Sequence, residues 1–119
     1  MAIALLEHLN ATRAIHIGTV EDPVTAYLTP KKAVIQQREV GADVPDMVSG
    51  IRAAMRQDTD VLMIGQFKTV EEVDAALTAA TAGSMVIGVM HASSPEETVQ
   101  RLIDIHSEEE KPAFCRLLA

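Results

Sequence analysis

The stretch Asp58-Thr59-Asp60-Val61-Leu62-Met63-Ile64-Gly65-Gln66 decides the fold. Acidic residues introduce a continuous apolar run that stops at a glycine and a polar amide. Apolar side chains on consecutive positions mark a strand buried on both faces, the kind found in parallel sheets covered by helices. The spacing therefore predicts a central strand whose C-terminal end delivers Gln66. A carboxylate there would supply a base or negative charge, whereas Gln66 is a neutral amide.

The flanking sequence repeats this pattern. Ala14 to Val20 reads as a buried strand followed by Glu21-Asp22-Pro23, where proline ends regular pairing. Ser84 to Met90 is a third apolar strand, ending at His91. Ala33 to Val40, closed by Gly41, is a more polar extended stretch that suggests an edge or a hairpin, and Tyr27 to Pro30 before it reads as a turn. Helices alternate with these strands. Ala2 to Asn10 carries Ile3, Leu6 and Leu9 on one face with no capping residue ahead of it. Asp43 and Pro45 are expected to open a helix with Met47, Val48, Ile51 and Met55 at helical spacing. Thr69-Val70-Glu71-Glu72 is a capping box, with Val70, Val73, Leu77 and Ala80 as the expected inner face and Gly83 as the stop. Ser94-Pro95-Glu96-Glu97 reads as a second box, with Val99, Leu102 and Ile103 inward. Ser107 to Glu110 suggests a last helix start, with Phe114, Leu117 and Leu118 as its apolar side.

Strands alternating with helices imply crossover connections and a mostly parallel sheet of three or more strands with helices on both faces. Glu21 and Asp22, Gln66 and His91 then gather at one sheet edge, where open α/β sheets bind ligands. Composition narrows the classes further. A formal net charge of −7 argues against nucleic acid as a partner. Apolar residues are 48% of the chain and aromatics 3%, so Ala, Val, Ile, Leu and Met build the core. The methionines 47, 55, 63, 85 and 90 fall at positions expected to face it. Cys115 is the single cysteine, which suits a reducing compartment, and no stretch has the length of a spanning helix. A cytoplasmic protein without a signal peptide or membrane insertion is the working expectation.

Several ordered blocks carry a resemblance over essentially the whole chain. Thr19-Val20-Glu21-Asp22-Pro23, Gln37-Arg38-Glu39-Val40-Gly41, Arg56-Gln57-Asp58 with Asp60-Val61, Leu77-Thr78-Ala79-Ala80, and His91 with Glu97-Thr98 and Arg101-Leu102-Ile103-Asp104 resemble the PilT-like ATPases, the retraction motors of type IV pili and relatives of type II secretion ATPases. The resemblance implies a partial RecA-like core over residues 1–119, hexameric rings with ATP and Mg between subunits, and pilus or secretion machinery at the inner membrane as partner. In its light Glu21 and Asp22 look like the acidic box, Gly65-Gln66 the end of the Walker B strand, and Gly83 to His91 the histidine box. Arg38, Arg52 and Arg56 stand in segments where the family places arginines near phosphate or a neighbouring subunit.

The departures are equally specific. Gln66 stands where the family has Glu, Lys68-Thr69 where it has Arg-Asp, and Ser84 where its box has a first histidine. A Gly-rich phosphate loop is expected immediately ahead of Met1, and the 119 residues do not contain it. Tight ATP binding and hydrolysis by these residues alone are not expected, and Glu21, Asp22, Gln66 and His91 keep ancestral rather than active roles. Plainer readings stand beside these. Asp22-Pro23 could simply make a turn, and His91 could cap the turn before the next helix. No metal site is expected from the spacing of His8, His16 and His106, which read as solvated or core-satisfied, and Glu108 to Glu110 is a solvated helix start. In RecA-like sheets the phosphate-loop strand lies beside the histidine-box strand, so Ser84 to Met90 is expected to form an open edge that pairs with a second copy or a partner. The functional expectation is a fragment or degenerate paralogue of a PilT-like ATPase of twitching motility or type II secretion. The rivals are a non-catalytic module docking on a motor ring, and an unrelated small hydrolase using Glu21 and His91.

Overall fold

Four strands form one parallel sheet in the order β2-β1-β3-β4, where β1 is His16–Glu21, β2 Val34–Glu39, β3 Val61–Gln66 and β4 Met85–Val89. The computed structural model describes residues 1–118; the last position of the expected 1–119 domain lies outside them. The helices are α1 (Ala2–Thr12), α2 (Met47–Met55), α3 (Val70–Thr81), α4 (Pro95–Asp104) and α5 (Lys111–Leu118). The α/β expectation holds, and the stretch at 58–66 supplies β3, paired on both sides with Val61 to Ile64 buried.

Apolar side chains on both faces of β1 and β3 feed two cores. Leu6 of α1 packs with Ile17, Ala33, Val61 and Met63 on one face. Met47, Ile51 and Ala54 of α2 and Ala76 and Ala79 of α3 pack with Val20, Leu62 and Ile64 on the other. Helices thus cover both faces, which is why the central strands lack polar alternation. The more polar β2 is an edge strand running parallel to β1, not a hairpin arm. Its polar side chains hold the preceding segment: Gln37 accepts from Leu28 N–H at 2.8 Å and donates to the Ala26 carbonyl at 2.7 Å. Buried Asn10 of α1 does likewise, donating to the Thr29 carbonyl and accepting from Lys31 N–H, each at 2.8 Å.

Several details differ from the sequence expectation. The N-cap of α2 is Asp46, which accepts from Ser49 N–H at 2.8 Å, while Asp43 turns back to accept from Glu39 N–H. Both acids satisfy free backbone donors, and Asp46 is the one placed three residues ahead of an orphan helical amide. The α3 inner face is Val73, Ala76 and Ala79, with Ala80 exposed. Small residues let α3 approach α2 closely, and that rotates Leu77 towards the rim. The capping box at Thr69 and Glu72 forms in full. Its counterpart forms in part: Ser94 accepts from Glu97 N–H, but the Glu97 carboxylate reaches Ser93 N–H at 2.7 Å instead of Ser94. In α4 Val99 is exposed and no residue is fully buried, and in α5 Phe114 is buried while Leu117 and Leu118 are not. Met85 is 52% exposed on edge strand β4, against the expectation of a core methionine.

Candidate functional site

The parallel strands all end at the same side of the sheet, and the ends of β1, β3 and β4 meet there. Glu21 closes β1, Gln66 closes β3, and His91 follows β4. A cavity of about 330 Å3 is lined by Glu21, Asp22, Gly65, Gln66 and His91, with Met1 to Ile3 at the start of α1 completing its wall. The four residues singled out at strand ends therefore share one space. Gly65 makes this possible. A Cβ there would lie 3.3 Å from Glu21 Cα and 3.4 Å from the Val20 carbonyl oxygen, so the absence of a side chain lets β3 press against β1. The pairing of β3 with β4 shifts register between Ile64 and Gln66, a local bulge that re-aims the terminal amide.

The carboxylates in this cavity are already engaged. Glu21 is 3% exposed. Its Oε1 accepts from the Thr19 hydroxyl at 2.9 Å, and its Oε2 accepts from the Thr25 amide and hydroxyl, both at 3.3 Å. Hydrogen bonds of this kind are what permit a buried carboxylate at all. Asp22 is exposed, and its Oδ2 meets the Lys68 ammonium at 2.8 Å. The hydrogen bond to Asp22, reinforced by its charge, raises the Lys68 pKa. Lys68 is held at its backbone too, where its N–H donates to Glu72 of the α3 capping box at 2.6 Å.

His91 is exposed and borders the cavity, while its carbonyl accepts from Arg101 of α4 at 2.8 Å. The turn before α4 is capped by Ser94 and Glu97, which takes that duty from the His91 ring. Ser84 donates to the Thr59 carbonyl at 2.7 Å, a bond that joins the start of β4 to the entry of β3.

The three arginines lie elsewhere. Arg38 pairs across the sheet with Val20, whose side chain faces α2, and its guanidinium donates to the Gln36 and Gln57 side chains. Arg52 lines a groove of about 340 Å3 with Met55, Glu71, Asp74, Ala75 and Thr78, between α2 and α3. Arg56 follows the end of α2 and is exposed. All three therefore belong to the α2 side, and none lines the cavity. His16 Nδ1 donates to the Gln57 carbonyl at 3.2 Å, and His106 is buried, as a core-satisfied histidine should be. Among the described residues no cluster of three or more His, Cys, Asp or Glu is arranged to hold a metal ion, and no helix is long and apolar enough to cross a membrane.

Thr19 and Thr25 escaped the sequence reading. Thr19 left a signal, since it shares strand parity with Glu21 and interrupts an apolar run. Thr25 left none.

A model of the Type II/IV secretion system protein family matches residues 2–114. The chain belongs to that family. Two relatives of this type II/IV secretion family bear on the reading. The chain is 38% identical over 116 residues to the type IV pilus retractation ATPase PilT of Pseudomonas aeruginosa, covering 98% of this chain and 34% of that protein. It is 34% identical to the twitching motility protein of Neisseria gonorrhoeae, with 98% and 31% covered. The solved structure of the pilus retraction motor PilT with bound ADP superimposes with a TM-score of 0.93 at 33% identity, over 98% of this chain and 34% of that one. The chain thus spans about a third of the length of the relatives it matches, and over that third the type II/IV secretion family fold is reproduced.

The ADP of the PilT structure raises the question of whether magnesium suits this cavity. Mg2+ is held by one or two carboxylates together with phosphate oxygens and water. Here both Glu21 oxygens are bonded to threonines, Asp22 carries an ammonium, and Gln66 brings no charge. Both carboxylates that line the cavity are thus already partnered, and no further acidic side chain among the described residues lines it.

Proposed function

We propose that this chain forms the strand-end part of the nucleotide site of a PilT-like motor ATPase of pilus retraction or type II secretion, in a form impaired for hydrolysis. The observation that carries the reading is the single cavity in which Glu21, Asp22, Gln66 and His91 meet beside the start of α1. A strand-end crevice next to a helix N-terminus is where phosphate is favoured. The impairment follows from residues in the same cavity. Gln66 hydrogen-bonds water but takes no proton from it, and Glu21 is bound to Thr19 and Thr25 rather than free to act as a base.

Arg38, Arg52 and Arg56, gathered on the α2 side, suit contact with a neighbouring subunit more than contact with this cavity. Assembly with motor subunits at the cytoplasmic side of the inner membrane belongs to the same proposal. The edge of β4, where Met85 is exposed, is a second surface open to a partner strand.

Titrating ATP against the chain while recording backbone amide resonances and phosphate release tests both halves. Shifts centred on Glu21, Gln66, His91 and the first turn of α1, weaker than millimolar and without phosphate release, are expected. Shifts centred elsewhere would remove the nucleotide reading. Phosphate release above background, or millimolar and tighter Mg·ATP binding, would remove the impairment.

The same engaged carboxylates favour a second reading, a non-catalytic module that docks on a motor ring and modulates it. Co-purification with a full-length motor, with no ATP-induced shifts at the cavity, would select it.

A further inference from the structure

Glu21 is fixed from outside the cavity as well as from within it. In the sheet Thr19 is in register with Gln37 and Glu21 with Glu39, so these four side chains share one face, and residues 24–28 cross it. Gln37 holds that segment at two points: its amide nitrogen donates to the Ala26 carbonyl at 2.7 Å, and its oxygen accepts from Leu28 N–H at 2.8 Å. Glu39 accepts from Val24 N–H at 3.3 Å. Between these ties stands Thr25, which lines the cavity and gives both its amide and its hydroxyl to Glu21 Oε2, each at 3.3 Å. Gln37 itself does not line the cavity.

We infer that Gln37 is a positioning residue for the strand-end cavity: through residues 24–28 it places Thr25, and Thr25 keeps the Glu21 carboxylate turned to hydrogen-bond donors in the cavity wall. The distances carry the argument. Both Gln37 bonds have the ordinary N–H···O length, whereas the two bonds from Thr25 are at the long end. Bonds that long hold their donor weakly, so the shorter Gln37 bonds are what place the segment. Thr19 fixes only the other oxygen, Oε1, at 2.9 Å. One oxygen of Glu21 therefore depends on β1 itself, and the other on a segment that β2 holds. A buried carboxylate oxygen stripped of its donors is costly, and the space open to it is the cavity. The functional consequence rests on the nucleotide reading. Turned into the cavity, the Glu21 charge would face the phosphates and weaken their binding.

The Glu21 carboxyl carbon resonance and the Thr25 amide resonance report on the positioning with no ligand present. Gln37→Met, similar in length but without either polar group, should move both. Gln37→Glu keeps an acceptor for Leu28 N–H and loses the donor to Ala26, so it should move them the same way by less, and it carries the comparison alone if the Met variant does not fold. Gln36→Met, on the opposite face of the same strand, should leave both in place. Tyr27 is the single tyrosine of a chain without tryptophan and is 80% exposed within the segment, so its fluorescence anisotropy should fall in Gln37→Met. In a Thr25→Val background, which lacks the hydroxyl bond, Gln37→Met should shift Glu21 less than it does in the unaltered chain. Unmoved Glu21 and Thr25 resonances in the Gln37 variants, equal shifts from Gln36→Met, or an undiminished shift in the Thr25→Val background would each overturn the inference. ATP titration tests the consequence: Gln37→Met should bind about two- to tenfold more weakly than the unaltered chain, the scale of one neutral hydrogen bond. Equal affinity in the two would remove the role of Gln37 at a nucleotide site. Absence of any ATP response in the unaltered chain would remove the nucleotide reading, while the resonance pattern would still decide the positioning of Glu21.

Discussion

The two ends of the chain use similar helices to different effect. The sheet with α2 and α3 buries Val20, Ile51, Ala54, Ile64 and Ala79 completely and sets the strand ends that form the cavity. The α4–α5 pair, although α4 is strongly amphipathic, buries only Phe114 fully, together with His106 in the turn between the helices. An apolar stripe therefore does not guarantee a packed helix; it needs a surface to pack on, and β1 and β3 are central strands that offer one on both faces. The first region is held by continuous apolar contact. The second is held by one aromatic and a few polar bonds.

Truncation in the first region should break the molecule as a whole. Ile64 is 0% exposed, in the middle of β3 and directly ahead of Gly65 and Gln66. Ile64→Ala should cost about 2–5 kcal/mol, seen as a lower urea midpoint with all probes moving together. If amides of α4 and α5 lost protection while those of β1 and β3 kept it, the ranking of the two regions would be wrong.

Asn10 tests whether a polar group inside the rigid region matters as much as an apolar one. It is 0% exposed and serves both the Thr29 carbonyl and the Lys31 amide. Asn10→Ala strands both partners, at a cost of about 1–3 kcal/mol. The loss should appear in the midpoint and in faster exchange of the Lys31 amide, and Asn10→Asp should restore only the bond from Lys31.

Phe114→Ala is the matching test in the C-terminal pair. A fully packed phenylalanine costs about 3–5 kcal/mol to truncate. Here the ring stacks on His106 at a centroid distance of 4.0 Å, on helices with little other burial. The expected change in the global midpoint is smaller, on the order of 1–2 kcal/mol, with exchange accelerated mainly in α4 and α5. A drop as large as that of Ile64→Ala would show that the two regions unfold as one.

The same division explains what could be read in the sequence. β3, its parallel neighbours and the meeting of Glu21, Asp22, Gln66 and His91 were legible because they follow from local patterns: apolar runs, and a polar residue after each. The pairing of Lys68 with Asp22 was not, because it joins residues brought together only by the order β1-β3 in the sheet. The rotation of α3 onto Ala76 and Ala79 was hidden for a related reason. Hydrophobic spacing ranks Leu77 above alanine, whereas close approach to α2 selects the smaller side chain. In α4 the spacing of Val99, Leu102 and Ile103 gave the correct helix but overstated its burial, with Val99 exposed and Leu102 and Ile103 only half-buried, since nothing in a single helix records whether a surface awaits it.

The smallest expected effect is also the one that separates the regions by pH. His106 is 5% exposed, its Nδ1 lies 2.8 Å from the Leu102 carbonyl oxygen, and its Nε2 lies 3.1 Å from Asp74 Oδ1 of α3. Both ring nitrogens face acceptors, so only the imidazolium satisfies both. Burial pulls the pKa down, but the bonds to Asp74 and Leu102, with the charges of Asp74 and Glu110, outweigh it and raise the pKa above the ordinary 6.5. The folded chain then holds this proton more tightly than the unfolded one. Its contribution is complete below the unfolded pKa and is lost as pH rises through the higher folded value. The carboxylates of Glu97 and Glu110, held below their ordinary range chiefly by bonds to Ser93 and Ser107, act oppositely and lose their contribution only as pH falls below about 4.5. Between about pH 6 and pH 9 the His106 effect therefore stands alone among these groups. Asp74 is largely exposed, so the loss should be no more than about 0.2–1 kcal/mol. It should register as faster exchange in α4 and α5 at the upper end of that range, after correction for intrinsic exchange, with β1 and β3 unchanged. Asp74→Asn should flatten the dependence while leaving the Phe114 stack in place. An equal loss of protection in β1 and β3 would instead show that the C-terminal helices and the sheet share one cooperative unit.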